Sequence, residues 1–488
     1  MVVPTSTLPA NLQHQVDKYE KQFATPTETL NKIVSHFISE LDRGNTDGTD
    51  PSGIPMNVAW VMDYPDGSET GDYLAIDLGG TNLRVVMVHL LGNHKFTTEQ
   101  EKYPLPGPIR TTKVKEELFD FIAQSLDDFV KKLNPNGIPE GTVYPLGFTF
   151  SYPCTQTSID MGILQRWTKG FDIPGVEGHD CVPMLMESIN KRGTPIKVVA
   201  LINDTCGTLV ASRYTDNMTE MGCIFGTGVN GAYYERVSNI AKLEGKLCDD
   251  IPKDSPMLIN CEYGSFDNGR KVLPRTIYDV EIDNESPRPG QQAFEKMTSG
   301  YYLGELLRKV LVSEYKMGNI FPEYEAGARE IEYLTTPYIL DASFLSLCEA
   351  DNTPDLRETQ MLYKAKLGIE TTYEERLFTL KVSSFIGTRA ARLSICGIAA
   401  ACKKMNYETC HIAADGSVFL RYTGFPERAA QGLSDVFGWD PSLKMDEHPI
   451  QIVKAQDGSG VGAAVIAALA DARQKKGLSL GLKAGAHL

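Results

Sequence analysis

The stretch "LAIDLGGTNLRVVMV", Leu74 to Val88, constrains this chain more than any other. An apolar strand ends in an aspartate, two adjacent glycines follow, and a second apolar strand begins. Adjacent glycines are poor strand formers, and an aspartate at a strand end is costly unless it has a partner. The same grammar returns in "GCIFGTGVNGAYYERV", from Gly222 to Val237. Strand, glycine turn, strand occurs twice, so the chain reads as two related units, each opened by a hairpin.

The patterning between and after these hairpins is α/β with an antiparallel start. Strands are predicted at 73–77, 83–90, 144–150 and 197–202, and an amphipathic helix near 116–133 carries Leu118, Phe121, Ile122, Leu126 and Phe129 on one face. The first clear helix is predicted to begin near Thr25, with Thr25 as cap, Pro26 in the first turn and Glu28 closing a capping box. Leu30, Ile33, Val34, Phe37, Ile38 and Leu41 continue it at helical spacing, and Gly44 is the expected stop. Late helices are expected near 373–405, 426–437 and 461–474, with short strands in "CHIAADGS" and "PIQIVKAQDGSG". No low-complexity linker separates the units, which are expected to pack closely.

The bulk properties exclude several function classes. A net charge of −15 repels nucleic acid and anionic lipid, so neither is an expected partner. An anionic substrate needs a locally built cradle. The ten cysteines are scattered singly with no CxxC, which reads as reduced, mostly buried thiols of a cytoplasmic protein. The start has no basic segment followed by an apolar core, and no apolar run reaches the ~18 residues that span a bilayer. The C-terminal "AHL" loosely resembles a peroxisomal address, a secondary expectation.

The glycine turns point to phosphate. "GTGVNG", Gly226 to Gly231, fits GxGxxG, but a dinucleotide fold needs a helix next, and "AYYERV" continues as a strand. "GSGVGA", 458–463, precedes a helix but has no βαβ unit behind it, and no Walker-type GxxxxGK[ST] exists. What remains is a turn rich in backbone N–H groups. Glycines let the backbone approach an anion, and consecutive amides form an anion-binding nest. Thr81 and Thr227 add hydroxyl donors, and Asp77 is placed to hold a hydrated Mg²⁺ that bridges phosphate oxygens. The structural alternative is glycine chosen for hairpin geometry alone. Two such turns in repeated units favour phosphate.

In "KVVALINDTCGTLVASRY" a buried strand runs into Asn203 and Asp204, and a helix follows. Strand tips present residues to an α/β cleft, and the helix N-terminus supplies donors that orient a carboxylate. Asp204 is thus either a functional acid or only the helix cap. "LGFTFSYP" and "WTKGF" put Ser151, Thr168 and Lys169 in loops stiffened by Tyr152, Pro153 and Trp167. Glu262 follows a strand, and Glu295 lies on a helix. With Asn203, Asn230 and Ser151 these acids make a reader of several sugar hydroxyls.

At these residues the chain resembles the eukaryotic, fungal-type hexokinase/glucokinase family. "LGFTFSYPCTQTSIDMGILQRWTKGF" fits the family's sugar-binding signature, and "DLGGTN", "LINDT", "GTGVNG", "NCEYGSFD", "FEKM" and "DGSV" fit as well, over about residues 20–475. The resemblance implies a two-lobed actin-like ATPase fold with RNase H-like lobes and a central cleft. Residues 70–203 plus 453–476 would form the small lobe, and 12–69 plus 204–452 the large lobe. It implies ATP and Mg²⁺ as cofactors and D-glucose or another hexose as substrate, phosphorylated at the 6-hydroxyl by a monomer or homodimer.

Carried over by motif, Asp204 is the general base. Ser151, Thr168, Lys169, Asn203, Asn230, Glu262 and Glu295 line the sugar pocket. Asp77, Leu78, Gly79, Gly80, Thr81 and Asn82, with Gly226, Thr227 and Gly228, face the phosphates. Lys102, Gly300, Tyr301, Thr336, Gly416 and Ser417 lie by the nucleotide. Two rival functions have distinct signatures. A sugar sensor without catalysis keeps the pocket, and an actin-like chaperone ATPase needs the phosphate turns but neither "WTKGF" nor the paired glutamates.

Overall fold

Each glycine turn opens a sheet. In the computed structural model, which describes residues 8–47, 52–167 and 170–487, the first sheet has five strands. Across the sheet they run Lys95–Pro104, Asn82–Gly92, Thr70–Leu78, Tyr144–Thr149 and Ile196–Ile202. The second sheet runs Asn57–Val58, Pro256–Asn260, Val229–Arg236, Thr219–Phe225, Cys410–Asp415 and Ile450–Lys454. Leaving aside the two-residue edge strand at 57–58, both sheets have the spatial order 3-2-1-4-5 by chain order. In both, the first three strands are antiparallel and the last two join in parallel. The weak sequence repeat is therefore a repeat of topology.

Alternation along the strands decides which core each side chain joins. Leu74, Ile76 and Leu78 point into a core shared with the helices Lys115–Leu133 and Cys181–Arg192. Ala75, Val86 and Val88, on the opposite face, join the larger core. Asp77 lies on that second face. In register it stands opposite Arg84, which stands opposite Lys102, and on its other side opposite Thr149.

The helix Asp204–Thr215 packs on the second sheet, and the helix Ala463–Lys475 packs on the first. The two meet through the single π turn Gly458–Gly462. Only glycine permits this meeting. A Cβ on Gly462 would lie 2.1 Å from the Gly207 carbonyl oxygen, and one on Gly207 would lie 2.3 Å from that of Gly458. The motif that failed as a dinucleotide fingerprint is thus the point where the two units touch. Tyr373–Met405, capped by a Thr372–Glu375 capping box, is the central helix of the larger core. It is long and apolar enough to cross a membrane, yet it is largely buried inside the protein.

Several expectations are corrected. The second helix is Thr27–Thr46, capped by no side chain. The Thr25 hydroxyl is buried without a partner, and Glu28 pairs with Lys32 at 2.7 Å instead of closing a box. Gly44 does not stop that helix. It lies inside it, where a Cβ would strike the Ile54 carbonyl at 2.4 Å. Ala10–Phe23 is an additional helix, which buries Leu12, Val16, Tyr19 and Phe23. The strand Lys95–Pro104 escaped because it is an exposed polar edge with no apolar alternation. Neither glycine turn uses left-handed backbone: Gly79, Gly80, Gly226 and Gly228 all lie outside the positive-φ set.

Candidate active site

Ser151 and Asn203–Asp204 follow adjacent parallel strands whose last residues, Thr149 and Ile202, are in register. The Phe150 N–H donates to the Ile202 carbonyl at 2.9 Å and carries the pairing past the strand ends. This is the carboxyl edge of the sheet, where an α/β fold presents functional groups. Asn203, not Asp204, is the helix cap: its side chain accepts the Thr205 N–H at 2.8 Å. Asp204 occupies the first helical position and is partly exposed. Its carboxylate accepts from the Thr205 hydroxyl at 3.3 Å. The capping requirement is met by its neighbour, so Asp204 is available for chemistry.

The loops after Ser151 are stiff for a visible reason. Trp167 stacks on Phe171 at 5.3 Å and meets Tyr152 edge-on at 5.1 Å. The Trp167 indole N–H donates to the Ile173 carbonyl at 2.9 Å. Thr168 and Lys169, next in sequence, lie outside the described residues.

The second unit supplies a hydrogen-bonded set of amides and carboxylates. Asn230 Nδ2 donates to Asn260 Oδ1 at 2.8 Å and to Glu262 Oε1 at 3.2 Å. Asn260 Nδ2 donates to the same Glu262 oxygen at 2.9 Å. Asn230 Oδ1 accepts the N–H groups of Gly231 (2.7 Å) and Glu262 (3.0 Å). Glu295 joins through the Val229 N–H, which donates to Oε2 at 3.0 Å. A Cβ on Gly228 would stand 2.6 Å from that same carboxylate oxygen, so Gly228 is glycine for close approach.

Burial pushes the Glu295 carboxyl up to about 7, against the pull of the Val229 N–H, and Glu262 adds to the rise. Arg166, from the first unit's Trp167 loop, lies in the field of both glutamates; burial, with Arg288, holds its guanidinium below the usual arginine range. Cys206, one turn into the Asp204 helix, is buried and its thiol is pushed up, with Asp204 and Glu262 both contributing. Asp204 and Glu262 thus both act on Cys206, and Glu262 and Glu295 both act on Arg166, which links the end of the first sheet to the amides and carboxylates of the second.

The second glycine turn gathers several of the predicted nucleotide residues around it. Gly226 N–H donates to the Gly228 carbonyl at 3.0 Å, and Gly300 N–H to the Gly226 carbonyl at 2.8 Å. Gly416 has φ +104°, and a Cβ there would lie 2.4 Å from the Phe225 carbonyl oxygen. Thr227 is exposed beside them, and Ser417 opens the short helix Ser417–Arg421. Tyr301 is half exposed and stacks on Tyr338 at 4.9 Å, which draws in the segment of Thr336. The Thr336 hydroxyl itself is exposed and donates to the Glu332 carbonyl at 2.8 Å.

In the first unit, Gly79 N–H donates to the Asn82 carbonyl at 3.0 Å, and Asn82 Nδ2 to the Thr81 hydroxyl at 2.9 Å. Gly80 is half-buried at the same turn. Leu78 is fully buried in the core, which leaves only its backbone to face a ligand. Lys102 is exposed on the edge strand, opposite Arg84.

Sequence reasoning missed Arg84. Its guanidinium lies 3.9 Å from Asp77 Oδ2 and makes two hydrogen bonds to Asp457. Burial opposes its charge, but Asp457, then Asp77 and Asp415, outweigh that and hold it above the usual arginine range. Asp415 belongs to the second sheet and Asp77 to the first, so Arg84 stands in the field of carboxylates from both sheets. It sits seven residues after Asp77, an odd spacing that the pleat alone would put on opposite faces; the register of the hairpin pairs the two across the sheet.

Comparison with known proteins agrees with this geometry. Two family models, both described as hexokinase, match residues 15–214 and 220–469. The hexokinase of Kluyveromyces lactis is 58% identical over 476 residues, 98% of this chain and 96% of the relative. Hexokinase-2 of Saccharomyces cerevisiae is 56% identical over 475 residues, 97% and 96% of the two chains. The solved structure of a Schistosoma mansoni hexokinase complexed with glucose superposes with a TM-score of 0.80 at 32% identity, covering 94% of this chain and 99% of the other. The fold is the two-lobed α/β fold of these enzymes, and the chain belongs to the hexokinase family.

Proposed function

We propose that this protein transfers the γ-phosphoryl of MgATP to the 6-hydroxyl of D-glucose and of other hexoses, the first step of glycolysis. The observation that carries this reading is the continuity of the second glycine turn with the polar set. Gly228, Val229 and Asn230 are consecutive, and Glu295 bonds the residue between turn and amide. A phosphate chain on the turn and a hydroxylated ring on the amides and carboxylates then meet end to end.

In this reading Asn203, Asn230, Glu262, Glu295 and Ser151, with Thr168 and Lys169, hold the ring through its hydroxyls. Asp204 takes the proton of the 6-hydroxyl as the phosphoryl moves in line, worth roughly 10²–10⁴-fold. The remaining acceleration comes from alignment and from N–H groups at the phosphate oxygens. Asp77, Leu78, Gly79, Gly80, Thr81 and Asn82 line one side of the phosphates, and Gly226, Thr227 and Gly228 the other. Lys102, Gly300, Tyr301, Thr336, Gly416 and Ser417 lie by the nucleotide. Asp77 fits Mg²⁺: it is a partly exposed carboxylate, a hard oxygen donor suited to an ion that keeps several waters. When bound, Mg²⁺ neutralises charge on the β- and γ-phosphates.

The lobes of this reading are 70–203 plus 453–476 and 12–69 plus 204–452, closing on one another when sugar binds, so that water is not a competing acceptor. We place the enzyme in the cytoplasm, as a monomer or homodimer; its ten free thiols suit a reducing compartment.

The test is a coupled assay with ATP, Mg²⁺ and glucose, fructose or mannose. Sugar-dependent ADP release with hexose 6-phosphate formation is expected. Glucose binding without turnover would make the protein a sensor, and ATP hydrolysis indifferent to sugar would make it an actin-like ATPase.

A further inference from the structure

Asn260 ends the Pro256–Asn260 strand and is only 8% exposed. Its amide orientation is forced by its neighbours. Asn230 Oδ1 is committed to two backbone N–H groups, so Asn230 Nδ2 must face the other way, toward Asn260 Oδ1. Asn260 Nδ2 is then left to face Glu262 Oε1. Glu262 has left-handed backbone, φ +55°, which costs energy in a residue with a side chain and persists only where its surroundings hold it. Its hydrogen bonds supply that hold, among them the Asn230 Oδ1 bond to its N–H and the Asn260 and Asn230 amides on its carboxylate.

We infer that Asn260 is a positioning residue for the sugar: held by Asn230, it fixes the Glu262 carboxylate as a rigid hydroxyl reader without touching the ring itself. The inference rests on the hexose reading of this site. It assigns Asn260 a role in substrate affinity and none in the transfer step. An asparagine is required because one side must accept and the other donate. Aspartate can do this only when protonated, and alanine can do neither.

Three variants test it, with steady-state kinetics in glucose and in ATP. Asn260→Ala is expected to raise KM for glucose roughly ten- to hundredfold, the effect of freeing one charge-assisted contact, with kcat and KM for ATP nearly unchanged. Asn260→Ala combined with Glu262→Gln is expected to lose little beyond Glu262→Gln alone, because the amide acts through that carboxylate. Asn260→Asp keeps the shape, so the test survives a failure of Asn260→Ala to fold. Its kcat/KM for glucose, relative to wild type, is expected to fall as pH rises from 6 to 8 and the new acid ionises against Glu262. An unchanged glucose KM, losses that multiply in the double variant, a parallel rise in KM for ATP, or a pH-independent Asn260→Asp ratio would each overturn the inference. No turnover of any hexose by the wild-type protein would overturn the functional reading instead.

Discussion

Arg84 and Asp457, 373 residues apart, form a two-pronged ion pair: Nη1 donates to Oδ2 at 2.7 Å and Nη2 to Oδ1 at 2.6 Å. The pair ties the strand after the first glycine turn to the π turn that touches the Asp204 helix. Arg84 Nη2 also reaches the Ser459 hydroxyl at 3.0 Å, and Asp457 Oδ1 accepts the Gly460 N–H at 3.0 Å. Arg84 is thereby held beside Asp77 instead of collapsing onto it.

Asp457→Asn leaves Arg84 with a neutral partner and a nearby carboxylate at Asp77. Losing a charge-assisted bidentate contact is worth roughly 10–100-fold. The expected outcome is a kcat lowered by about that factor with KM for glucose unchanged, because the pair borders the phosphates and not the ring. Steady-state kinetics with each substrate varied in turn will check it.

Asp204→Asn keeps the helix, since Asn203 is the cap, and removes the base. Turnover is expected to fall by roughly 10²–10⁴-fold. Glucose binding, followed by the fluorescence of Trp167 beside the sugar loop, should change by no more than a few-fold. Equal loss of binding and turnover would mark Asp204 as a sugar-positioning residue.

Burial pushes the Glu295 carboxyl up to about 7. A sugar hydroxyl donates best to the ionised form, which is lost as pH falls below that value. KM for glucose should therefore be roughly tenfold higher at pH 6 than at pH 8. Glu295→Gln should bind glucose weakly at every pH and flatten the profile.

Glu40 is a buried acid, 3.1 Å from His36 and 3.7 Å from Arg43, and burial pushes its carboxyl up to about 7. The folded value lies above the unfolded one, so the cost of ionising Glu40 is absent below the ordinary glutamate range. It grows as pH rises and is complete above about 7. Glu40→Gln removes that cost. Its melting temperature should exceed that of wild type by roughly a degree or two at pH 8, with the gap closing by pH 5 in calorimetry.

Much of this architecture was legible because its signals are local. The hairpins at 70–92 and 219–236 follow from period-two alternation broken by glycine, and the 373–405 helix from a long apolar run of helical spacing. The motif residues from Ser151 to Glu295 were legible through resemblance, and hydrogen bonds join Asn230 to Glu262, with Glu295 bound to the neighbouring Val229 N–H. What escaped has a physical cause in each case. Lys95–Pro104 pairs by backbone alone and carries no apolar code. The Thr25 box failed because its hydroxyl is buried away from the helix end, where Pro26 already sets the geometry. Asn260 is a strand-end amide whose orientation depends on its contact with Asn230, thirty residues away in sequence.

By itself the amino-acid order determined the repeated strand–turn–strand units, the two α/β halves and the placing of Asp204 where a strand gives way to a helix. All of these are set by neighbours a few residues apart. Only tertiary packing decided that Asp457 clamps Arg84, that Gly462 lets two helices touch at Gly207, and that Glu295 holds its proton near neutrality. Burial, dielectric and close backbone approach depend on which distant segments share a volume, and that is fixed when the two sheets meet through the helices Asp204–Thr215 and Ala463–Lys475.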